Sequence, residues 1–219
     1  MKTNLFTRSI LVIGLLLSCF RLSAQHDSLQ KSTTPRPQVF YLGMNLGFAT
    51  DTKRIDTDEP VRSTIANTPL AHIGLSALIE GSYFFYDPRL RGEVRLDMLL
   101  GDSVLGGGYR GLVLLGYSAL QTPSWDVYPF LSIGLQHYTI REGVSIHHYL
   151  TMVGVGADYR IPQSSLMVGL RSGYHHTFPL SSTSGFSSVV AKSAGGFAMQ
   201  AFVAVRILSF SPDTGEIGK

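Results

Sequence analysis

Cysteine occurs once in the 219 residues, as Cys19, and charged residues make up only 15% of the chain, where about 25% is usual for a soluble domain. A single thiol excludes an intrachain disulfide framework and a thiolate metal centre. The sequence also has no run of about 18 apolar residues, so no helix of the membrane-spanning kind is encoded. Lysine is missing where a soluble sheet needs it. Beyond residue 24 only Lys31, Lys53, Lys192 and Lys219 remain, and none falls in a segment with strand periodicity, so the outward strand faces are not dressed for water.

Lys2 and Arg8 precede an apolar run from Ile10 to Leu17, and Leu22, Ser23, Ala24 and Gln25 follow as a small-residue cleavage site. This is the order of a secretory signal peptide, with cleavage expected after Ala24. Cys19, after Leu16, Leu17 and Ser18, offers a lipoprotein acceptor as the alternative. Removal of Lys2, Arg8 and Arg21 leaves 15 basic against 15 acidic residues. The neutral mature chain has no basic stripe, which argues against nucleic acid as a partner. The expected organisation is a signal peptide (1–24), a polar periplasmic leader with Pro35 and Pro37 (25–38), a β-barrel (39–210) and a short tail (211–219).

The stretch LRGEVRLDMLLG, residues 90–101, puts Arg91, Glu93, Arg95 and Asp97 on every second position, with Val94, Leu96, Met98 and Leu100 on the alternate ones. Alternation of this kind is the period of a strand and separates an ionic face from an oily one. Eight such segments are expected, near 39–49, 71–85, 90–101, 109–120, 127–140, 148–161, 165–176 and 196–210. Only the fourth fails to alternate cleanly. Longer connections (50–70, 102–108, 141–147, 177–195) alternate with short ones, and aromatic residues gather at the strand ends. Phe40, Tyr83, Phe85, Tyr128, Tyr159 and Phe210 fall toward one rim, and Phe48, Tyr109, Tyr138, Tyr149, Tyr174 and Phe197 toward the other. These features together predict an all-β, eight-stranded antiparallel up-and-down transmembrane barrel, in preference to a soluble β-sandwich.

If the oily face meets lipid, the ionic face fills the lumen, and an eight-stranded barrel is narrow enough for side chains to plug it. The expected network is Glu80, Glu93, Asp97 and Asp158 with Arg91, Arg95, Arg160, Arg171 and Arg206. Near-balance of sign favours a closed salt-bridge network over a selective pore. A tight turn at Tyr86-Asp87-Pro88-Arg89 would set Glu80 opposite Arg95. A two-residue turn at Ser164-Ser165 would set Asp158 opposite Arg171, with neighbouring registers also open. Inward glycines, among them Gly154, Gly156 and Gly169, are expected to make room for arginine side chains. Phe210 has lumen parity, which calls for a bulge near Ser209.

Six of the seven histidines, His72, His137, His147, His148, His175 and His176, lie near one rim, and parity points His72, His148 and His175 inward. Two inward imidazoles at one level would suit a metal, and one beside Thr177 or Ser145 would suit a general base, although histidine also simply suits a hydrated interface. The catalytic candidates are therefore His148, His175 and Thr177. No HExxH or GxSxG element is present, and Gly106-Gly107-Gly108 lacks the Lys-Ser/Thr of a phosphate loop, so no metal and no cofactor is expected.

A signal peptide ending in Ser23-Ala24-Gln25, strands such as VFYLGMNLGF and YLTMVGVGADYRI, and a last strand GGFAMQAFVAVRILSF resemble the small outer-membrane barrels of Bacteroidota, close to the PorT-like and OmpA/OmpX-like barrels. The resemblance implies the outer membrane of a Gram-negative bacterium and a structural, surface-binding or secretion-assisting role without established catalysis. Its implied partners are outer-membrane lipid and lipopolysaccharide, the barrel-assembly machinery and another envelope protein. Some barrels of this size deacylate or acylate lipid A, which makes a lipid A-modifying enzyme the rival reading; a narrow pore for small solutes is the third. The chain departs from the pattern in continuing beyond Phe210.

Overall fold

The computed structural model describes residues 38–50, 55–56, 69–81, 87, 89–101, 105–140, 145–183, 190–191, 194–210 and 217–218. The expected signal peptide, Cys19 and the leader up to residue 37 lie outside the described residues, as do all the lysines, Tyr83 and Phe85.

Eight long strands run β1 (Gln38–Thr50), β2 (Pro69–Glu80), β3 (Leu90–Leu100), β4 (Leu105–Tyr117), β5 (Trp125–Ile140), β6 (Ser145–Arg160), β7 (Leu166–Thr183) and β8 (Ala194–Phe210). Each pairs antiparallel with its sequence neighbours, and β1 also pairs with β8, so the sheet closes on itself. Ladder partners lead from Asp126 on β5 through Asp158, Gly169, Phe202, Asn45, Gly74, Asp97 and Arg110 back to β5 at Gln136, ten residues along. A stagger of this kind goes with strands tilted by roughly 35–45° and an interior that side chains fill. Two-residue ladders lie outside the eight long strands: Ile55–Asp56 pairs with Val190–Ala191 as a separate sheet between the two longest connections, and Ile217–Gly218 in the tail pairs with Ser209 and Phe210.

Alternation in the sequence becomes alternation in burial. On β3, Arg91 is 1% exposed and Leu96 is 68% exposed, the inverse of a soluble sheet. Leu42, Met44 and Leu46 on β1 and Leu131, Ile133 and Leu135 on β5 continue the apolar exterior around the wall. Strand β4 alternates in burial even though its chemistry does not. Leu112 and Leu114 face inward and join Tyr128, Phe130, Leu150 and Met152 in an apolar cluster inside the lumen. Tyr41, Leu78, Met167, Phe202 and Ala204 form a second cluster.

Three expectations are corrected. Strand β2 ends at Glu80, since Gly81 sits at φ 114°, a conformation that takes the chain out of the ladder, and the expected stretch 82–85 lies outside the described residues. Arg206 is exposed at the short-turn end and does not enter the lumen. Its ladder partner is the buried Tyr41, so its parity is inward and its exposure comes from its place at the rim; the bulge follows it, since Phe40 pairs with Leu208 and Tyr41 with Arg206, which makes Ile207 the extra residue. The parity switch expected near Ser209 therefore falls two residues earlier, and both Ile207 and Leu208 face out. Finally, Gly154, Gly156 and Gly169 accommodate aromatic rings, those of Phe130, Tyr128 and Phe202 on the adjoining strands, which lie where a Cβ would stand. Bare backbone beneath a ring is how a narrow lumen accepts aromatics.

Candidate functional site

The lumen is crossed by ion pairs. Near the short-turn end Arg91 on β3 meets Glu80 on β2 at 3.0 Å, Asp126 on β5 at 3.2 Å, and Asp158 on β6. Its guanidinium lies 3.8 Å from the centroid of the Tyr128 ring, a favourable stacking for a desolvated cation. Arg160 closes this group by pairing with Glu80 at 2.7 Å and Asp126 at 3.5 Å. Ser118 donates to Asp126 at 2.9 Å. Above it, Arg171 on β7 binds Glu93 on β3 at 2.7 Å. These strands are four apart in a ring of eight, so that pair reaches from one wall to the opposite one. Toward the long-loop end Asp97 accepts from Arg110 at 2.5 Å and pairs with Arg95 at 3.2 Å, while Arg95 also donates to Gln200 on β8.

The Tyr128 hydroxyl joins two of these groups. It donates to Asp158 at 3.1 Å and accepts from the Arg171 Nε at 3.0 Å. A Tyr128→Phe variant keeps the ring under Arg91 and removes only that link. Bonds to charged groups carry more than neutral ones, so a stability loss of about 1–3 kcal/mol is expected in urea unfolding. A loss below about 0.5 kcal/mol would show that the hydroxyl links nothing of consequence.

Eight of the nine lumen residues expected from sequence take part, and the ninth, Arg206, does not. The expected pairings shift. Glu80 lies opposite Arg91, and Arg95 lies opposite Ser76, four residues from the expected register. Asp158 lies opposite Gly169, and Arg171 opposite Gly156, because the turn holds four residues with Gln163 at φ 59°. Arg110, Asp126 and Tyr128 were not anticipated. Arg110 sits on the strand whose inward face is otherwise apolar. Asp126 fell in a segment read as a turn, and Tyr128, 0% exposed, was placed at the rim. With these changes the lumen holds Glu80, Glu93, Asp97, Asp126 and Asp158 against Arg91, Arg95, Arg110, Arg160 and Arg171, an even balance among the described residues.

The catalytic candidates His148, His175 and Thr177 all face inward and are no more than 2% exposed. His175 pairs across β6–β7 with Met152, Thr177 with Leu150, and His148 with Pro179, all in one register that shifts only at His147. The two imidazoles are therefore not at one level. No group of three or more His, Cys, Asp or Glu among the described residues is placed to hold a metal ion.

The outer wall near the long-loop end is aromatic. Phe48, Tyr109, Tyr149, Tyr174 and Phe197 are all exposed there. At the opposite rim Trp125 stacks on Tyr159 at 4.8 Å.

Among solved structures, the chain is similar to Neisserial surface protein A. The match has 14% sequence identity and a TM-score of 0.49, and covers 77% of this chain and 97% of that one. No protein-family model and no curated protein matches the chain.

Proposed function

We propose that the chain is an outer-membrane barrel of a Gram-negative bacterium with a structural, surface-binding or secretion-assisting role. Its lumen is a closed plug, and its working surface is the long-loop end. The observation that carries this reading is the inverted wall: apolar side chains such as Leu96 stand outside while ten charges pair within. Lipid and lipopolysaccharide would surround such a wall, the barrel-assembly machinery would insert it, and another envelope protein would meet the loops at 50–70 and 177–195. Membership of the PorT-like barrels of Bacteroidota, which the sequence resembles, would imply an envelope role of this kind.

A lipid A deacylase or acyltransferase would need its nucleophile and base open to the outer leaflet. His148, His175 and Thr177 are instead shut inside, so the non-catalytic reading is preferred. In planar bilayers the refolded protein is expected to give no steady unitary conductance, and lipid A from cells with and without it is expected to carry the same acyl chains. Stable current steps would replace the plug with a pore, and an altered acyl pattern would replace it with an enzyme.

A further inference from the structure

Parity sends His137 and His147 to the outside of the barrel, away from the lumen network. They are direct ladder partners on β5 and β6. Their Nδ1 atoms are 3.3 Å apart, and the ring centroids are 4.5 Å apart with planes at 41°. Tyr109, the partner of His137 on its other side, stacks on that ring at 4.7 Å. Both imidazoles are half-buried. They line a cavity of about 330 Å³ together with Tyr109, Leu135 and Leu180.

Hydrogen bonds donated by nitrogen cluster near 2.9–3.0 Å, so the contact between the two rings is long for one. It fits a different geometry. Two metal–nitrogen bonds of about 2.0–2.1 Å meeting at a tetrahedral angle hold their nitrogens roughly 3.3–3.4 Å apart. The antiparallel ladder fixes both backbones, and the Tyr109 ring limits one imidazole, so little rearrangement stands between this arrangement and a chelate.

We propose that His137 and His147 form a binding site for a divalent transition metal ion. Each imidazole presents Nδ1 as ligand in the Nε2–H tautomer, and water in the cavity takes the remaining positions. Imidazole donors suit Zn²⁺, Ni²⁺ and Cu²⁺, with Cu²⁺ held most tightly. The site is separate from the ionic lumen and does not depend on the role proposed for the barrel.

Untagged protein refolded in detergent micelles and titrated calorimetrically with Zn²⁺ is expected to show one saturable site. Loss of partners outside the metal's ligand set already weakens many sites about 10–100-fold. His137→Ala and His147→Ala are therefore each expected to weaken binding at least about tenfold. His176→Ala, whose ring packs at 4.5 Å on Phe178, is expected to leave it unchanged. Electron paramagnetic resonance of the Cu²⁺-loaded protein should show coupling to two imidazole nitrogens, falling to one in either variant. The proposal is overturned by the absence of saturable Zn²⁺ binding, by unchanged affinity in both alanine variants, or by two-nitrogen coupling that survives His137→Ala. Heat-dependent gel mobility checks that the variants fold. If they do not, the Cu²⁺ spectrum of the unsubstituted protein still decides, since fewer than two coupled nitrogens overturns the site.

Discussion

Replacing Arg91 with methionine is expected to destabilise the folded barrel by about 3–5 kcal/mol, the range for removing one partner from a buried ionic group. Arg91 is 1% exposed and is the cation that Glu80, Asp126 and Asp158 have in common. Without it, Arg160 remains beside Glu80 and Asp126, and Asp158 retains the Tyr128 hydroxyl. Three carboxylates on three strands then repel one another in a confined space. Urea unfolding in micelles reads the loss. Glu80→Gln in the Arg91→Met background should cost much less than Glu80→Gln alone, because the carboxylate it neutralises has already lost a main partner. Glu80→Gln with Arg95→Met should instead add to within about 0.5 kcal/mol, since the two side chains share no partner. A loss under about 1 kcal/mol for Arg91→Met, or strong coupling between Glu80 and Arg95, would contradict the observed register.

The even balance of the lumen follows from its size. A wide barrel hydrates its interior charges and can hold an excess of one sign, whereas here side chains touch from wall to wall and each charge needs a protein partner. Single arginines accordingly serve several acids, and aromatic rings cover what remains. Arg91 lies against Tyr128, and the Arg171 guanidinium lies 4.0 Å from the centroid of the Phe202 ring. Planar guanidinium stacks and forks in a way that ammonium does not. The inward cations Arg91, Arg95, Arg160 and Arg171 use that geometry to reach more than one partner each.

The fold was legible wherever inside and outside differ in chemistry. On β3 the charges and aliphatics separate residue by residue, so both the strand and its lumen face could be read. Strand β4 could be read only as a strand. Leu112 and Leu114 point inward and Val113 and Leu115 outward, so its two faces look alike and Arg110 carried no visible parity. Register was less legible than parity. It depends on where each ladder stops, and that is decided by single backbone positions, Gly81 and Gln163, whose positive φ values no alternation reveals. The bulge at Ile207 is an intermediate case. The parity of Phe210 demanded one somewhere on β8, but its location depends on pairing with β1. The histidine cluster at the rim was visible as a cluster. The pairing of His137 with His147 was not, because it depends on the β5–β6 register, which alternation leaves open.

Leu96→Arg is expected to be the most damaging change on the outer wall, and it tests what surrounds the barrel. Leu96 lies in the middle part of β3 and is 68% exposed. On a soluble protein an arginine at so open a position would shift stability by no more than about 0.5 kcal/mol. In a bilayer the same residue places a cation among acyl chains at a cost of about 2–4 kcal/mol near the midplane, falling to about 0–1 kcal/mol near the interfaces. Leu166→Arg supplies the internal comparison, since Leu166 is also outward but begins β7 beside the turn after β6. Equilibrium folding into phospholipid vesicles, followed against guanidinium concentration, should give a clear loss for Leu96→Arg and a small one for Leu166→Arg. Equal, negligible effects at both depths would mean that the oily face does not meet lipid. The inverted pattern would then have to be covered by protein instead.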